Sequence, residues 1–345
     1  MSTRSSFFLR PGRDLAIDLG TTSTLIHRQG RGVVLDEPSV VAVAADTGEV
    51  VAAGTSAREM LGRTPGSIRA ERPLRGGAVH DPDVTEQMLR VFTDSLKVST
   101  VLRPRVVVCV PSTVSPLERR AVEDVAIRVG ARRVFVVEEP VVAAIGAGLP
   151  VTHTEASTVV DIGGGSTDAA ILALGGVVAS RSTRVGGEAM DEAIGAHVQE
   201  HYSLVLGERS AEHIKVEGGS AFPLARPTRT RVRGRDLVTG LPRTVEVGSD
   251  EVRRALDGPV RQVVDLVRGL LDACPPELAG DVLTRGVVLT GGGALLRGLD
   301  ARMEHELGVP VRVADDPLRA VIRGAGRCVD DFATLEPVLV DGRRF

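Results

Sequence analysis

The stretch DLAIDLGTTSTLI, Asp14–Ile26, and its counterpart TVVDIGGGSTDAAIL, Thr158–Leu172, each read as an apolar strand, a small-residue turn and a second strand. Sliding one onto the other by 143 residues superposes Asp18 on Asp161, Gly20 on Gly163, Ser23 on Ser166 and Thr24 on Thr167. Gly32 then meets Gly175, and Val34 meets Val177. Matched Gly and Val arise easily, whereas a matched Asp-x-Gly-x-x-Ser-Thr does not. The chain therefore reads as two related lobes, each opening with a β-hairpin.

Both turns expose backbone N–H groups and hydroxyls, which suit phosphate oxygens. Each also places an aspartate at a strand end. Facing each other across a cleft, the turns clamp a polyphosphate and leave Asp18 and Asp161 for magnesium, which prefers oxygen ligands and keeps several waters. One such turn is weak evidence, because ordinary hairpins use the same residues. The pair carries the reading.

A third glycine site follows an apolar strand at Gly286–Thr290, where Gly291, Gly292 and Gly293 precede Leu295, Leu299, Met303 and Leu307 at helical spacing. Strand, glycine turn and helix start is an anion approach, and equally a plain βα turn. Between these landmarks, Val106–Val110 and Val134–Val137 read as buried strands, and Pro116–Val129 and Pro140–Gly148 as helices. The alternation indicates an α/β fold. Glu139 ends an apolar strand and precedes a helix that Pro140 opens. A helix N-terminus favours negative charge, so its carboxylate is expected to stay ionised and to orient a water. Strand alternation aims the adjacent Glu138 elsewhere.

Composition narrows the classes. A net charge of −3 and 2% aromatic residues argue against a nucleic-acid surface. Arg229, Arg231, Arg233 and Arg235 alternate on one strand face, which reads first as a solvated hairpin. Cys109, Cys274 and Cys328 form no CxxC pair and read as reduced core thiols. No segment has the length of a membrane span, and the apolar run Phe7, Phe8 and Leu9 is too short for a signal peptide, so a cytoplasmic location is expected. That run is flanked by Arg4, Arg10 and Arg13.

The order DLGTTST, VCVP, VVEEP, DIGGGSTD, IKVEGGSA and LTGGGALL resembles the actin-like ATPases, and LDEPSVVAV, MLGRTPG, AAIGAGLP, CPPELA and DPL resemble the MreB/Mbl cell-shape family among them. The resemblance runs from about Asp14 to Cys328. It implies an actin-like ATPase fold: two related, ribonuclease-H-like lobes around a nucleotide cleft, each with a small inserted subdomain. The implied boundaries are 13–153 for lobe I, with a small subdomain near 37–78, and 154–322 for lobe II, with one near 190–250. Residues 323–345 return to lobe I.

The resemblance assigns ATP and Mg2+ as cofactors. Gly20, Thr21, Thr22 and Ser23 form the first phosphate turn, and Gly163, Gly164 and Gly165 the second. Asp18 and Asp161 hold the metal through water. Glu139 is the catalytic residue, with the Ser166 hydroxyl near the attacking water. Glu212 and Lys215 hold the adenosine, and Gly291, Gly292, Gly293, Ala294 and Leu295 close over the nucleotide. Lys97–Arg105, with Val101 and Leu102, resembles the family's membrane-inserting loop. The implied function is an ATP-dependent filament that lies on the anionic inner face of the membrane and directs the cell-wall elongation machinery. An ATP-binding scaffold without hydrolysis, and a small-molecule kinase of the same superfamily, are the alternatives. The kinase would need a base beside an acceptor hydroxyl, and no extra motif supplies one.

Overall fold

The computed structural model describes residues 14–97, 103–332 and 340–341. Apolar residues bring β1 (Leu15–Leu19), β2 (Ser23–Arg28) and β3 (Gly32–Pro38) together as a meander. A small sheet of β4 (Val41–Ala44), β5 (Val50–Ala53) and β6 (Ile68–Glu71) follows, with α1 (Thr55–Met60) inserted between β5 and β6. The short pair β7 (Leu74–Arg75) and β8 (Ala78–Val79) leads into α2 (Pro82–Ser95), which Asp81 caps. Next come β9 (Arg105–Val110), α3 (Pro116–Arg128), β10 (Arg133–Glu138) and α4 (Glu139–Gly146). Ser115 and Glu118 form a reciprocal capping box at the start of α3.

The second half opens with β11 (Ser157–Ile162), β12 (Thr167–Ala173) and β13 (Gly176–Thr183), then α5 (Gly187–Tyr202). β14 (Leu204–Val205), α6 (Glu208–Gly218), β15 (Arg229–Asp236) and β16 (Pro242–Gly248) build its small subdomain. The chain continues through α7 (Ser249–Asp272), α8 (Pro276–Arg285), β17 (Val287–Thr290), α9 (Leu299–Leu307), β18 (Val311–Val313), α10 (Ala320–Asp330) and β19 (Val340–Asp341).

The larger sheets run β19-β10-β9-β1-β2-β3 and β13-β12-β11-β17-β18. Read in opposite senses, β10-β9-β1-β2-β3 and β18-β17-β11-β12-β13 are one topology used twice. β1 is antiparallel to β2 and parallel to β9, as β11 is to β12 and β17. The turn bonds repeat as well: Gly20 N–H donates to Ser23 O at 3.1 Å, and Gly163 N–H to Ser166 O at 2.9 Å. Every residue of β11 and β12 is buried, as a sheet covered on both faces requires.

Helices α4 and α10 cross backbone to backbone. A Cβ on Gly146 would lie 1.8 Å from Ala320 O, and one on Gly324 1.8 Å from Val142 O. The arginine stripe lies on the β15–β16 hairpin, where Arg231 pairs with Glu246 at 2.8 Å. The helix expected from Leu295 instead begins at Leu299. Residues Gly292–Leu295 form a 3-10 turn, and Gly298, at φ 71°, breaks the path before α9.

Candidate functional site

Each lobe brings a carboxylate to the seam between the two. Asp18 ends β1 opposite Cys109 of β9, and Asp161 ends β11 opposite Thr290 of β17. The Thr290 hydroxyl donates to Asp161 Oδ1 at 2.7 Å. Asp168 lies directly across the β11–β12 ladder from Asp161, so both side chains share a face. Asp168 Oδ1 accepts from Ser112 N–H at 2.8 Å and from the Ser182 hydroxyl at 2.6 Å. Its Oδ2 is buried with no partner among the described residues. Glu139 is 7% exposed at the start of α4, and Ser166 is buried beside Asp168. Glu138 occupies the N-cap position of α4 without a side-chain capping bond and accepts the Ser112 hydroxyl at 2.8 Å.

Burial dominates the electrostatics. It raises Asp18 to about 7, with help from Asp161 and Asp36. It raises Asp161 to about 7 against the opposing Thr290 bond. Asp168 is also raised by burial. Glu139 is pushed well above the usual carboxylate range by burial, then by Asp168, Asp18 and Asp161. The direction runs against the expectation of an ionised Glu139: the helix N-terminus offers a fraction of a charge, and burial beside three carboxyl groups acts the other way. Added positive charge would relieve all four groups together. An all-oxygen donor set suits magnesium, and the orphaned Asp168 Oδ2 is a ready acceptor for a coordinated water. Among the described residues no group of three His, Cys, Asp or Glu side chains forms a direct cage. An ion held through its own waters fits that geometry.

The two turns touch. A Cβ on Gly164 would lie 2.0 Å from Thr22 Oγ1, and one on Gly165 2.5 Å from Thr21 Oγ1. The glycines permit this approach. The Thr21 hydroxyl accepts from Gly77 N–H at 2.8 Å.

Helix α6 borders the same seam. Lys215 Nζ donates to Asp191 Oδ2 at 2.7 Å and to Gly187 O at 2.9 Å, bracing the start of α5 behind the second turn. Glu212 bonds Arg58 of α1 in the other lobe at 2.8 Å, so Glu212 and Lys215 do not pair with each other. Gly291 and Gly293 pack on the second turn, where added Cβ atoms would meet Ile162 O at 2.3 Å and Ile162 Cγ2 at 2.2 Å. Ala294 is buried, and Leu295 is 53% exposed. Phe7, Phe8, Leu9, Val101 and Leu102 lie outside the described residues. Among those described, no helix is long and apolar enough to cross a membrane.

Thr290 and Arg58 were given no role by the sequence, and Asp168 was given none in holding the metal. Asp168 was findable: a hairpin closed by Gly163 and Ser166 pairs residue 161 with residue 168.

Comparison with known proteins extends these observations. The family model for MreB/Mbl protein matches residues 12–337. The chain is 50% identical over 323 residues to the cell shape-determining protein MreB of Escherichia coli (strain K12), covering 92% of this chain and 93% of that one. It is 45% identical over 324 residues to the cell shape-determining protein Mbl of Bacillus cereus, covering 94% and 97%. The crystal structure of MreB5 of Spiroplasma citri bound to AMPPNP superposes with a TM-score of 0.90 at 34% identity, covering 95% of this chain and 98% of that one. A MamK double helical filament, at 24% identity and TM-score 0.78, shares the fold. The fold is that of the actin-like proteins, and the chain belongs to the MreB/Mbl family.

Proposed function

We propose that this protein is a cell-shape cytoskeletal element that binds ATP with magnesium between its lobes, assembles into filaments and hydrolyses the nucleotide as it assembles. One observation carries the nucleotide reading: two copies of one hairpin face each other with Asp18 and Asp161 at matching strand ends. The Spiroplasma citri relative, solved with AMPPNP and with ADP, supports it. Relatives described as cell shape-determining support the biological role.

When the lobes part, the backbone N–H groups and hydroxyls of Gly20–Ser23 grip phosphate oxygens from one side, and Gly163–Gly165 from the other. Asp18 and Asp161 would hold magnesium through water, and the bound ion neutralises charge on the phosphates. Glu139 and the Ser166 hydroxyl orient the attacking water, since positioning is most of the work in phosphoryl transfer. Lys215 keeps α5 in place behind the second turn. A closed cleft fixes the subunit surface, and a head-to-tail contact that does not close on itself yields a filament.

The filament acts at the inner face of the membrane, through Phe7, Phe8 and Leu9 and through Val101 and Leu102. Burying one large apolar side chain contributes about 1.5–3 kcal/mol, so a single subunit holds weakly and a polymer holds by avidity. There it meets the cell-wall elongation machinery.

Phosphate release measured against protein concentration tests assembly-linked hydrolysis. A steep rise above a critical concentration supports it, and a release proportional to protein at every concentration opposes it. Co-sedimentation with anionic liposomes tests attachment. Leu102→Asp, and Phe7→Asp with Phe8→Asp, should pellet less than the parent while polymerising normally. Equal pelleting of all three removes the membrane claim.

A further inference from the structure

Glu208, Glu212 and Lys215 stand at positions i, i+4 and i+7 of α6 and so form one stripe along its face. Lys215 reaches the floor of the seam, at α5. The two glutamates reach across it. Arg58 Nη2 lies 2.8 Å from Glu212 Oε2, and Arg72 Nε lies 3.7 Å from Glu208 Oε2. Both arginines belong to the small-subdomain region of lobe I: Arg58 is on α1, and Arg72 directly follows β6. Arg72 Nη1 is buried with no partner among the described residues, so this guanidinium is held at the rim with bonding capacity to spare. A third cross-lobe pair, Arg184 with Glu118 at 3.0 Å, joins the lobes beyond the hairpins.

We propose that Arg58 and Arg72 are positioning residues that clasp Glu212 and Glu208 across the mouth of the cleft and set how long a nucleotide stays bound. The touching turns require the lobes to part before a nucleotide enters or leaves. The path out lies between the small subdomains that these pairs join. Each pair is partly exposed, so each is weak alone and screened by salt. Two on one helix face oppose the same opening motion, and their effects combine. The clasp is therefore a brake that yields to ionic strength, in contrast to a buried lock.

The kinetic arm of the test rests on the ATP reading, and a distance arm does not. Release of etheno-ATP, chased with excess ATP, is followed at low and high potassium chloride. Spin labels at Val51→Cys and Val216→Cys, both exposed positions, report the width of the mouth without nucleotide, in a Cys274→Ser background. Arg58→Glu with Arg72→Glu should release etheno-ATP about three- to tenfold faster at low salt, slow toward the parent's rate as salt screens the new repulsion where the parent speeds up, and lengthen the label distance. Arg72→Glu alone should do part of this, and adding Glu208→Arg should return both readouts toward the parent, which mere misfolding would not. Release rates and distances that charge reversal leaves unmoved overturn the clasp and leave the ATP reading standing. Distances that respond in a protein that binds no etheno-ATP overturn the ATP reading and support the clasp.

Discussion

At the end of β1, Asp18 faces the thiol of Cys109, while at the end of β11, Asp161 faces Thr290, whose hydroxyl donates to it at 2.7 Å. Across the hairpin ladder Asp18 is paired with Leu25, and Asp161 with Asp168. The first turn offers the hydroxyls of Thr21, Thr22 and Ser23, whereas the second offers three glycines. Duplication preserved the backbone and its turn bond, and the side chains then divided the work. Lobe I offers hydroxyls. Lobe II supplies backbone and a second carboxylate; Thr290 and Ser182 of that lobe donate to the two carboxylates, and the Ser112 N–H of lobe I reaches Asp168 across the seam. The site thus needs both halves, because neither hairpin alone holds the full set of oxygens.

The sharpest way to break this comparison is to remove Glu139, the lobe I carboxylate on which the largest influence after burial, that of Asp168, comes from lobe II. Glu139→Ala should keep ATP binding and slow phosphate release by about a hundredfold or more. Equal turnover in variant and parent would end its catalytic role.

Matched positions give the next contrast. Asp168→Ala should lower turnover by about tenfold, because it unties Ser182 and Ser112, whose hydroxyl holds Glu138 beside Glu139, and removes the charge that acts on Glu139. Leu25→Ala, at the equivalent place in lobe I, removes a core side chain and should cost about 2–5 kcal/mol of stability. Turnover per folded molecule should change little in Leu25→Ala, and chemical denaturation beside a phosphate assay separates the two outcomes. Thr290→Val should cost about 1–3 kcal/mol by leaving a buried carboxyl short of a donor. Cys109→Ser offers lobe I the donor it lacks, and should move the Asp18 titration downward when followed by NMR.

A further effect is on pH dependence. In the fold Asp18 and Asp161 hold their protons up to about 7, against an ordinary value of 3.8. Between those values the native state binds more protons than the unfolded chain, so stability falls as pH rises through that window. The melting temperature of magnesium-free protein should therefore drop by a few degrees across it. Asp18→Asn should flatten the drop, and magnesium should oppose it. A rise over the same range would contradict the electrostatics of the site.

The hairpins were legible because their pattern is local: strand, turn and strand repeat within about 15 residues. The α/β alternation was legible for the same reason. Three features were not. Arg58 with Glu212 joins residues far apart in sequence, and no periodicity marks such a pair. The rise of the Glu139 carboxyl comes first from burial and then from carboxyl groups on three other segments, so the helix N-terminus, which the sequence did reveal, was the lesser influence. Leu295 kept the spacing of a helix but lies before a left-handed Gly298, and one residue's backbone freedom overrode the pattern. Asp168 could have been placed across from Asp161 through the register that its turn imposes.

The central claim is that the two hairpins form one magnesium–nucleotide site, and calorimetric titration of ATP with and without magnesium tests it most directly. The parent should bind more tightly with magnesium, and Asp18→Asn and Asp161→Asn should each lose that gain while remaining folded. A magnesium-dependent gain that survives either substitution undiminished would contradict the shared site.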